Sequence, residues 1–175
     1  MIETARLFIR PWRDEDRAPF AAIGTDPEVM RHLGPVMDRN ASDAIVDRLM
    51  AMQQLLGHCF WALEQRDGGA FLGFCGLKMA PLDIPGLSGF PEIGWRLARH
   101  AWGHGFASEA AAACLHWGWQ QGMTRIVAMT VPANTRSQAV MRRIGMARRP
   151  GLDFDHPVLA VDNPLRPHLA FDITP

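Results

Sequence analysis

Between Trp102 and Ala110 the chain runs Trp-Gly-His-Gly-Phe-Ala-Ser-Glu-Ala, with Gly103 and Gly105 set where a strand gives way to a helix. The first amides of a helix have no partner within it, and their aligned dipoles favour an anion. Glycine there lets a phosphate reach the backbone without meeting a side chain. Gly103 and Gly105 therefore mark a candidate anion site at a helix start, acting through backbone N–H groups. Two familiar motifs do not fit. A P-loop needs Gly-Lys-Ser/Thr after its second glycine, and here Phe106-Ala107 follows Gly105. A dinucleotide fingerprint needs a carboxylate about twenty residues on, and Met129-Thr130-Val131 offers none. A Gly-x-Gly alone is equally consistent with a turn that only packs a helix on a sheet.

A second motif follows: Asn134-Thr135-Arg136-Ser137, then Arg142-Arg143-Ile144-Gly145-Met146. Together the two resemble the GNAT superfamily of N-acetyltransferases, and in particular the Rim-type ribosomal-protein N-terminal acetyltransferases. The family turn has the form (Gln/Arg)-x-x-Gly-x-Gly/Ala, and His100-Ala101-Trp102-Gly103-His104-Gly105 corresponds to it. The Rim-like variant is matched from Trp102 to Ala110, and Arg6-Leu7-Phe8-Ile9-Arg10-Pro11-Trp12 resembles that subgroup's first strand. His100 departs from the usual Gln or Arg and is assigned no contact. The resemblance implies that the amides from Trp102 to Ser108 hold the pyrophosphate of acetyl-CoA, with the Ser108 hydroxyl adding a bond. It also implies a pantetheine arm lying near Leu97, with Asn134 binding it from the other side.

Acetyl transfer from a thioester to an amine needs a neutral amine, a polarised carbonyl and a proton for the departing thiolate. Many members of the family use a tyrosine as that acid, but this chain contains no tyrosine. Ser137, one helical turn after Asn134, is the candidate in its place; its other role would be to help cap its helix. The leaving thiol resembles cysteine, with a pKa of about 8.5, so a hydroxyl hydrogen bond suffices to stabilise it. For the base, Glu92 opens the strand leading to the cofactor turn. His156, in Phe154-Asp155-His156-Pro157, is the second candidate, because a neutral imidazole suits base work near pH 7. Ordinary surface or packing roles compete for both residues. An α-amine titrates near 8 and a lysine near 10.4, a gap of roughly 3 kcal/mol in the cost of neutralising the nucleophile. A site without a strong base therefore suits an α-amine better than a lysine. The acceptor could be a protein N-terminus or a small-molecule amine. The competing function is a non-catalytic acyl-CoA-binding module that keeps the fold without the tyrosine.

The elements that must position these residues follow from periodicity and breakers. Arg6–Arg10 is a strand stopped by Pro11. Asp14–Ile23 is a helix, and Asp26-Pro27-Glu28 opens a short one capped by Asp26. Ser42–Leu56 carries Ile45, Leu49, Met52 and Leu56 at helical spacing, and Gly57 ends it. Phe60–Gln65 and Phe71–Lys78 form a hairpin around Asp67-Gly68-Gly69. Pro81–Pro91 holds three prolines and two glycines and is a loop. Glu92–Leu97 is a strand with Ile93, Trp95 and Leu97 on one face and Glu92, Gly94 and Arg96 on the other. After the glycine turn come a helix to about Trp119, a strand over Arg125–Val131 and a helix over Thr135–Ile144 capped by Gly145. Met146–Phe154 and Leu165–Ile173 are two closing strands. The fold class is α+β: a mixed, largely antiparallel sheet flanked by helices, with one parallel βαβ crossover at the acyl-CoA turn. Residues 1–175 form a single domain.

Composition excludes several classes. Lys+Arg and Asp+Glu both number 18, so no bulk charge calls for nucleic acid or an anionic membrane. Cys59, Cys75 and Cys114 are scattered through apolar runs without CxxC or zinc spacing, which fits free buried thiols in a reducing compartment and no metal. No signal-peptide pattern or membrane-length apolar run appears, so the expected location is cytoplasmic. A homodimer is common in the resemblance group, though no surface stripe specifies one.

Overall fold

The computed structural model describes residues 1–81 and 83–175. In chain order the elements are β1 (Ile2–Glu3), β2 (Leu7–Arg10), α1 (Arg17–Thr25), α2 (Pro27–Met30), α3 (Arg39–Leu56), β3 (Phe60–Gln65), β4 (Phe71–Met79) and β5 (Pro91–Leu97). They continue with α4 (Phe106–Gln120), β6 (Ile126–Thr130), α5 (Thr135–Arg143), β7 (Ala147–Arg148), β8 (Phe154–Asp155) and β9 (Pro167–Ile173). The strands form one mixed sheet in the order β1-β2-β3-β4-β5-β6-β9-β7, with β8 pairing β9. Every pairing is antiparallel except β5 with β6. This is the expected α+β architecture, with its one parallel crossover built by α4.

The alternation in β5 sorts the two faces of the sheet. Ile93 and Leu97 are buried with Leu77 and α4, and a side chain at Gly118 of α4 would collide with Leu77 and Ile126. On the opposite face Phe74 meets Phe20 of α1, 6.0 Å between ring centroids. Trp12 packs edge-on against Phe20 and donates its indole N–H to the Phe60 carbonyl at 2.7 Å. All three cysteines are free and buried. A buried ion cluster ties β2 to the turn before α1: Arg10 donates to both carboxylate oxygens of Asp16 at 2.8 Å and to Glu64 at 2.6 Å.

Four expectations are corrected. Asp14–Ile23 is not one helix: Asp14–Asp16 forms a 3₁₀ turn, and the Asp16 carboxylate accepts from the Arg13 amide before α1 starts. The third helix begins at Arg39 and not Ser42, because Asp38 caps it by accepting from the Ala41 amide at 2.7 Å; its polar first turn carries no apolar period. Met146–Phe154 is broken into β7, a 3₁₀ turn at Pro150–Leu152 and β8, since Pro150 supplies no N–H to a ladder. The loop over residues 81–91, of which Leu82 lies outside the described residues, yields Pro91 to β5. It also buries Ile84 and Leu87 against Val127 and Ala170 in a second small core.

Candidate functional site

The single parallel register pair, Glu92 opposite Val127, is where β5 and β6 part. By contrast, β4 and β5 pair continuously from Gly73–Leu97 to Met79–Pro91. A cleft therefore opens between the carboxyl ends of β5 and β6, where open α/β sheets hold ligands.

The glycine turn sits at the β5 side of this cleft. Gly103 and Gly105 have φ of 81° and 80°, in the left-handed region, and Gly105 is the N-cap of α4. Both glycines are required by the backbone conformation itself. Among the described residues, the amides from Gly103 to Ser108 donate to no acceptor in the chain, whereas Trp102 donates to the Arg99 carbonyl at 3.1 Å. Leu97 is buried, and its carbonyl accepts from the Trp102 indole at 2.9 Å, which fixes the strand end against the turn. Phe106 is buried beneath the turn, Ala107 is partly buried, and the His104 ring is exposed.

Three arginines ring these amides; all three lie within the quoted motifs, but the sequence assigned none of them a contact. Arg143 donates to the Ser108 hydroxyl at 3.1 Å, so that hydroxyl is engaged by a cation. Arg136 stacks on the Trp102 ring at 4.6 Å. Arg6 stacks on Phe106 at 4.7 Å, donates to the His104 carbonyl at 3.0 Å, and pairs with Glu109 at 2.6 Å. Glu109 also accepts from the Thr4 hydroxyl at 2.6 Å and the Arg6 amide at 3.0 Å. Burial pushes the Glu109 carboxyl up, but the bonds from Thr4 and Arg6 outweigh it and hold it below the ordinary value. The N-terminal segment is thereby latched to the first turn of α4.

Asn134 lies across the cleft as the N-cap of α5, its Oδ1 accepting from the Ser137 amide at 3.2 Å. The Ser137 hydroxyl does no capping: among the described residues it makes no hydrogen bond, and it is not sealed from solvent. It is free to donate. Glu92 is not free-standing, because its carboxylate pairs with Lys78 at 2.8 Å. Phe60 covers Gly94 next to it and stacks on Phe74 at 5.2 Å.

His156 belongs to a separate cavity of about 580 Å³ between the loop after α2 and the loop before β9. Arg31, His32, Val131, His156, Asn163 and His168 line it along with apolar side chains. The His156 and His168 rings are 5.2 Å apart, and Nδ1 of His156 is buried without a partner. His168 is held below the ordinary histidine value by burial first and by His156 second. His32 is lowered by burial, then by Arg31 and Arg136. Neither His32 nor His168 carried any motif; only the folding of distant loops brings them to His156. Glu92 and Ser137 do not line this cavity. Val131, at the end of β6, connects it to the cleft. Among the described residues, no group of three or more His, Cys, Asp and Glu is placed to hold a metal ion.

Residues 6–147 match the family described as the Acetyltransferase (GNAT) domain. The chain belongs to the GNAT acetyltransferases. It is thus an acyltransferase by family, and its resemblance at the glycine turn is carried by the whole fold. The uncharacterized protein YkkB of Bacillus subtilis is 33% identical over 82% of this chain and 83% of its own. A GNAT-family acetyltransferase from Bacillus anthracis superposes with a TM-score of 0.82 at 24% identity, covering 99% of this chain and 97% of its own. Among Rim-type neighbours, RimJ of Mycobacterium smegmatis, solved with a CoA disulfide, has a TM-score of 0.75 at 22% identity over 96% of this chain and 81% of its own. No helix among the described residues is long and apolar enough to cross a membrane.

Proposed function

We propose that this GNAT protein transfers the acetyl group of acetyl-CoA directly to a primary amine within a ternary complex, as one domain over residues 1–175. The observation that carries the proposal is the run of unpartnered amides from Gly103 to Ser108, ringed by Arg6, Arg136 and Arg143 at the mouth of the parted strands. A pyrophosphate there meets both a helix dipole and charge-assisted donors. Bound acetyl-CoA supplies a thioester already activated toward an amine.

The chain's own groups do the rest. The Asn134 side-chain N–H, left over from capping, binds an amide of the pantetheine arm. Glu92 accepts the amine proton through a water, with Lys78 holding the carboxylate in place. The free Ser137 hydroxyl donates to the departing thiolate, taking the place of the missing tyrosine. His156 borders the acceptor as a second proton acceptor. The cavity shared by His32, His156 and His168 receives the amine, be it a protein N-terminus or a small molecule. A cytoplasmic location fits three free buried cysteines.

The test is thiol release from acetyl-CoA across a panel of amines, with acetyl-CoA binding followed by calorimetry. Turnover with at least one amine, and a larger loss of kcat than of acetyl-CoA affinity in Ser137→Ala, is the expected result. Tight binding without turnover on any amine fits an acyl-CoA-binding module instead, and absence of binding overturns the proposal.

A further inference from the structure

Of the two arginines that the sheet encloses on β2 and β5, Arg10 is neutralised by Asp16 and Glu64. Arg96 has no carboxylate within ion-pair distance among the described residues. Its single side-chain hydrogen bond runs from Nη1 to the Met37 thioether at 3.8 Å, and its Nε is sealed from solvent with no acceptor. The guanidinium lies 5.8 Å from the Phe20 ring and 5.5 Å from the Phe74 ring. Burial draws its pKa down to about 10. A desolvated cation held only by aromatic faces and a sulfur costs more than an apolar side chain of the same shape in the same place. Packing alone does not account for an arginine here. Among the described residues Nη2 makes no hydrogen bond, and it is not fully buried, so the fork retains an open donor.

The surroundings say what that donor would meet. Arg96 is four residues beyond Glu92 on one face of β5, and Val131 is four beyond Val127, the register partner of Glu92. The two therefore flank the same opening, and Val131 lines the histidine cavity. Met37, which shields Arg96, stands two residues past Pro35, another lining residue. That lining contains Arg31 and three histidines but no aspartate or glutamate. A polycation would find no acidic cage. Along the face between Glu92 and Arg96 run the half-buried Phe60 and the buried Phe74 stacked on it, an apolar wall with the Lys78-paired Glu92 carboxylate at one end and the Arg96 guanidinium at the other.

Resting on the acetyl-transfer proposal above, we propose that Arg96 receives an anionic group of the acceptor, so that the acceptor is an amine that also carries a carboxylate or a phosphate. Arg96 is then a specificity-determining residue: it sets which amines are held, while the proton transfers belong to other groups. The planar fork of a guanidinium suits either anion through paired N–H donors.

The test needs no turnover. Calorimetry on the CoA-loaded protein compares N-acetylphenylalanine and N-acetylmethionine with their carboxamides, and N-acetylethanolamine phosphate with N-acetylethanolamine. In the wild type at least one anionic probe binds about tenfold or more tighter than its uncharged match, and whether carboxylate or phosphate leads identifies the anion. Arg96→Met removes that preference, Arg96→Lys keeps part of it, and CoA affinity is unchanged in both. Equal or absent binding of every matched pair overturns the proposal, as does a preference that survives Arg96→Met or a loss confined to CoA affinity. An intact preference with no thiol release from any amine counts against acetyl transfer and leaves the anion site standing. Thiol release fastest with spermidine, and indifferent to carboxylates, does the reverse.

Discussion

Arg143 donates to the Ser108 hydroxyl at 3.1 Å, so the last turn of α5 is tied to the first turn of α4 across 35 residues of chain. The bond holds an exposed cation beside amides that have no other acceptor. A phosphate entering the turn would exchange that neutral hydroxyl for a charged oxygen, so a bond charged on one side only becomes an ion pair with the option of paired N–H donors. Arg143→Ala is expected to raise the Kd for CoA about tenfold, or about 1.4 kcal/mol, with little change in thermal stability because both groups are near the surface. Raising the salt concentration should shrink the difference. Calorimetry at two ionic strengths checks this, and an unchanged Kd at low salt would remove Arg143 from the phosphate site.

The two turn glycines separate conformational strain from ligand access. A side chain at Gly103 would meet nothing within 4 Å, yet its φ is +81°. Gly103→Ala should therefore cost only the left-handed penalty, about 1–2 kcal/mol of stability. Its effect on CoA binding is expected to exceed that figure, because the new methyl stands where the phosphate approaches the backbone. Denaturant unfolding and CoA titration of the same variant give the comparison. Equal losses would mean that the turn only joins a strand to a helix.

These two regions also show why some of the site was legible in the sequence and some was not. Gly103 and Gly105 answer a local demand of the backbone, so their spacing identifies the turn without any knowledge of the rest of the chain. Asp26 before Pro27 and Gly57 after Leu56 are legible for the same reason: caps act within a few residues. The alternation in β5 likewise separates Ile93 and Leu97 from Glu92 and Arg96. Arg143 meeting Ser108 depends on how α5 packs on α4, and Thr4 meeting Glu109 on how the N-terminal segment does, which no local pattern records. The histidine cavity is the extreme case. His32, His156 and His168 come from loops and a strand start far apart in the chain, and their types alone carry no spacing. From Met146 to Phe154 the strand expectation gives way at Pro150-Gly151, where a 3₁₀ turn separates β7 from β8.

The latch on α4 offers a further prediction. Glu109 gathers the Thr4 hydroxyl, the Arg6 amide and the Arg6 guanidinium. The pair is only partly shielded, with Arg6 49% exposed, so its worth is discounted to about 1 kcal/mol. Glu109→Gln should lower Tm by a few degrees and weaken CoA binding, since Arg6 would leave the turn. The carboxyl is held below its ordinary value, so it takes up protons less readily folded than unfolded. Its contribution is therefore complete above the unfolded value, about 4.5, and is lost as the pH falls through the folded one. The acid limb of the wild-type stability profile should be less steep in Glu109→Gln.

His168 works in a different pH window. Its Nδ1–H donates to the Arg166 carbonyl at 3.1 Å, which fixes the neutral tautomer, while burial and the nearby His156 disfavour a proton. The unfolded chain protonates this group near 6.5, and the folded chain does so only at a lower pH. Between those values the unfolded state binds more protons, so folding stability falls as pH falls. His32, lowered by burial and by Arg31 and Arg136, adds to the same trend. The wild type should accordingly lose Tm between about pH 7.5 and about pH 5.5, on the alkaline side of the carboxylate window. His168→Gln keeps a polar side chain without the titration and should flatten that part of the profile. Because the same cavity is assigned to the acceptor, the variant should also raise KM for an accepted amine while leaving CoA affinity untouched. A profile as steep in His168→Gln as in the wild type would show that the proton is taken up elsewhere.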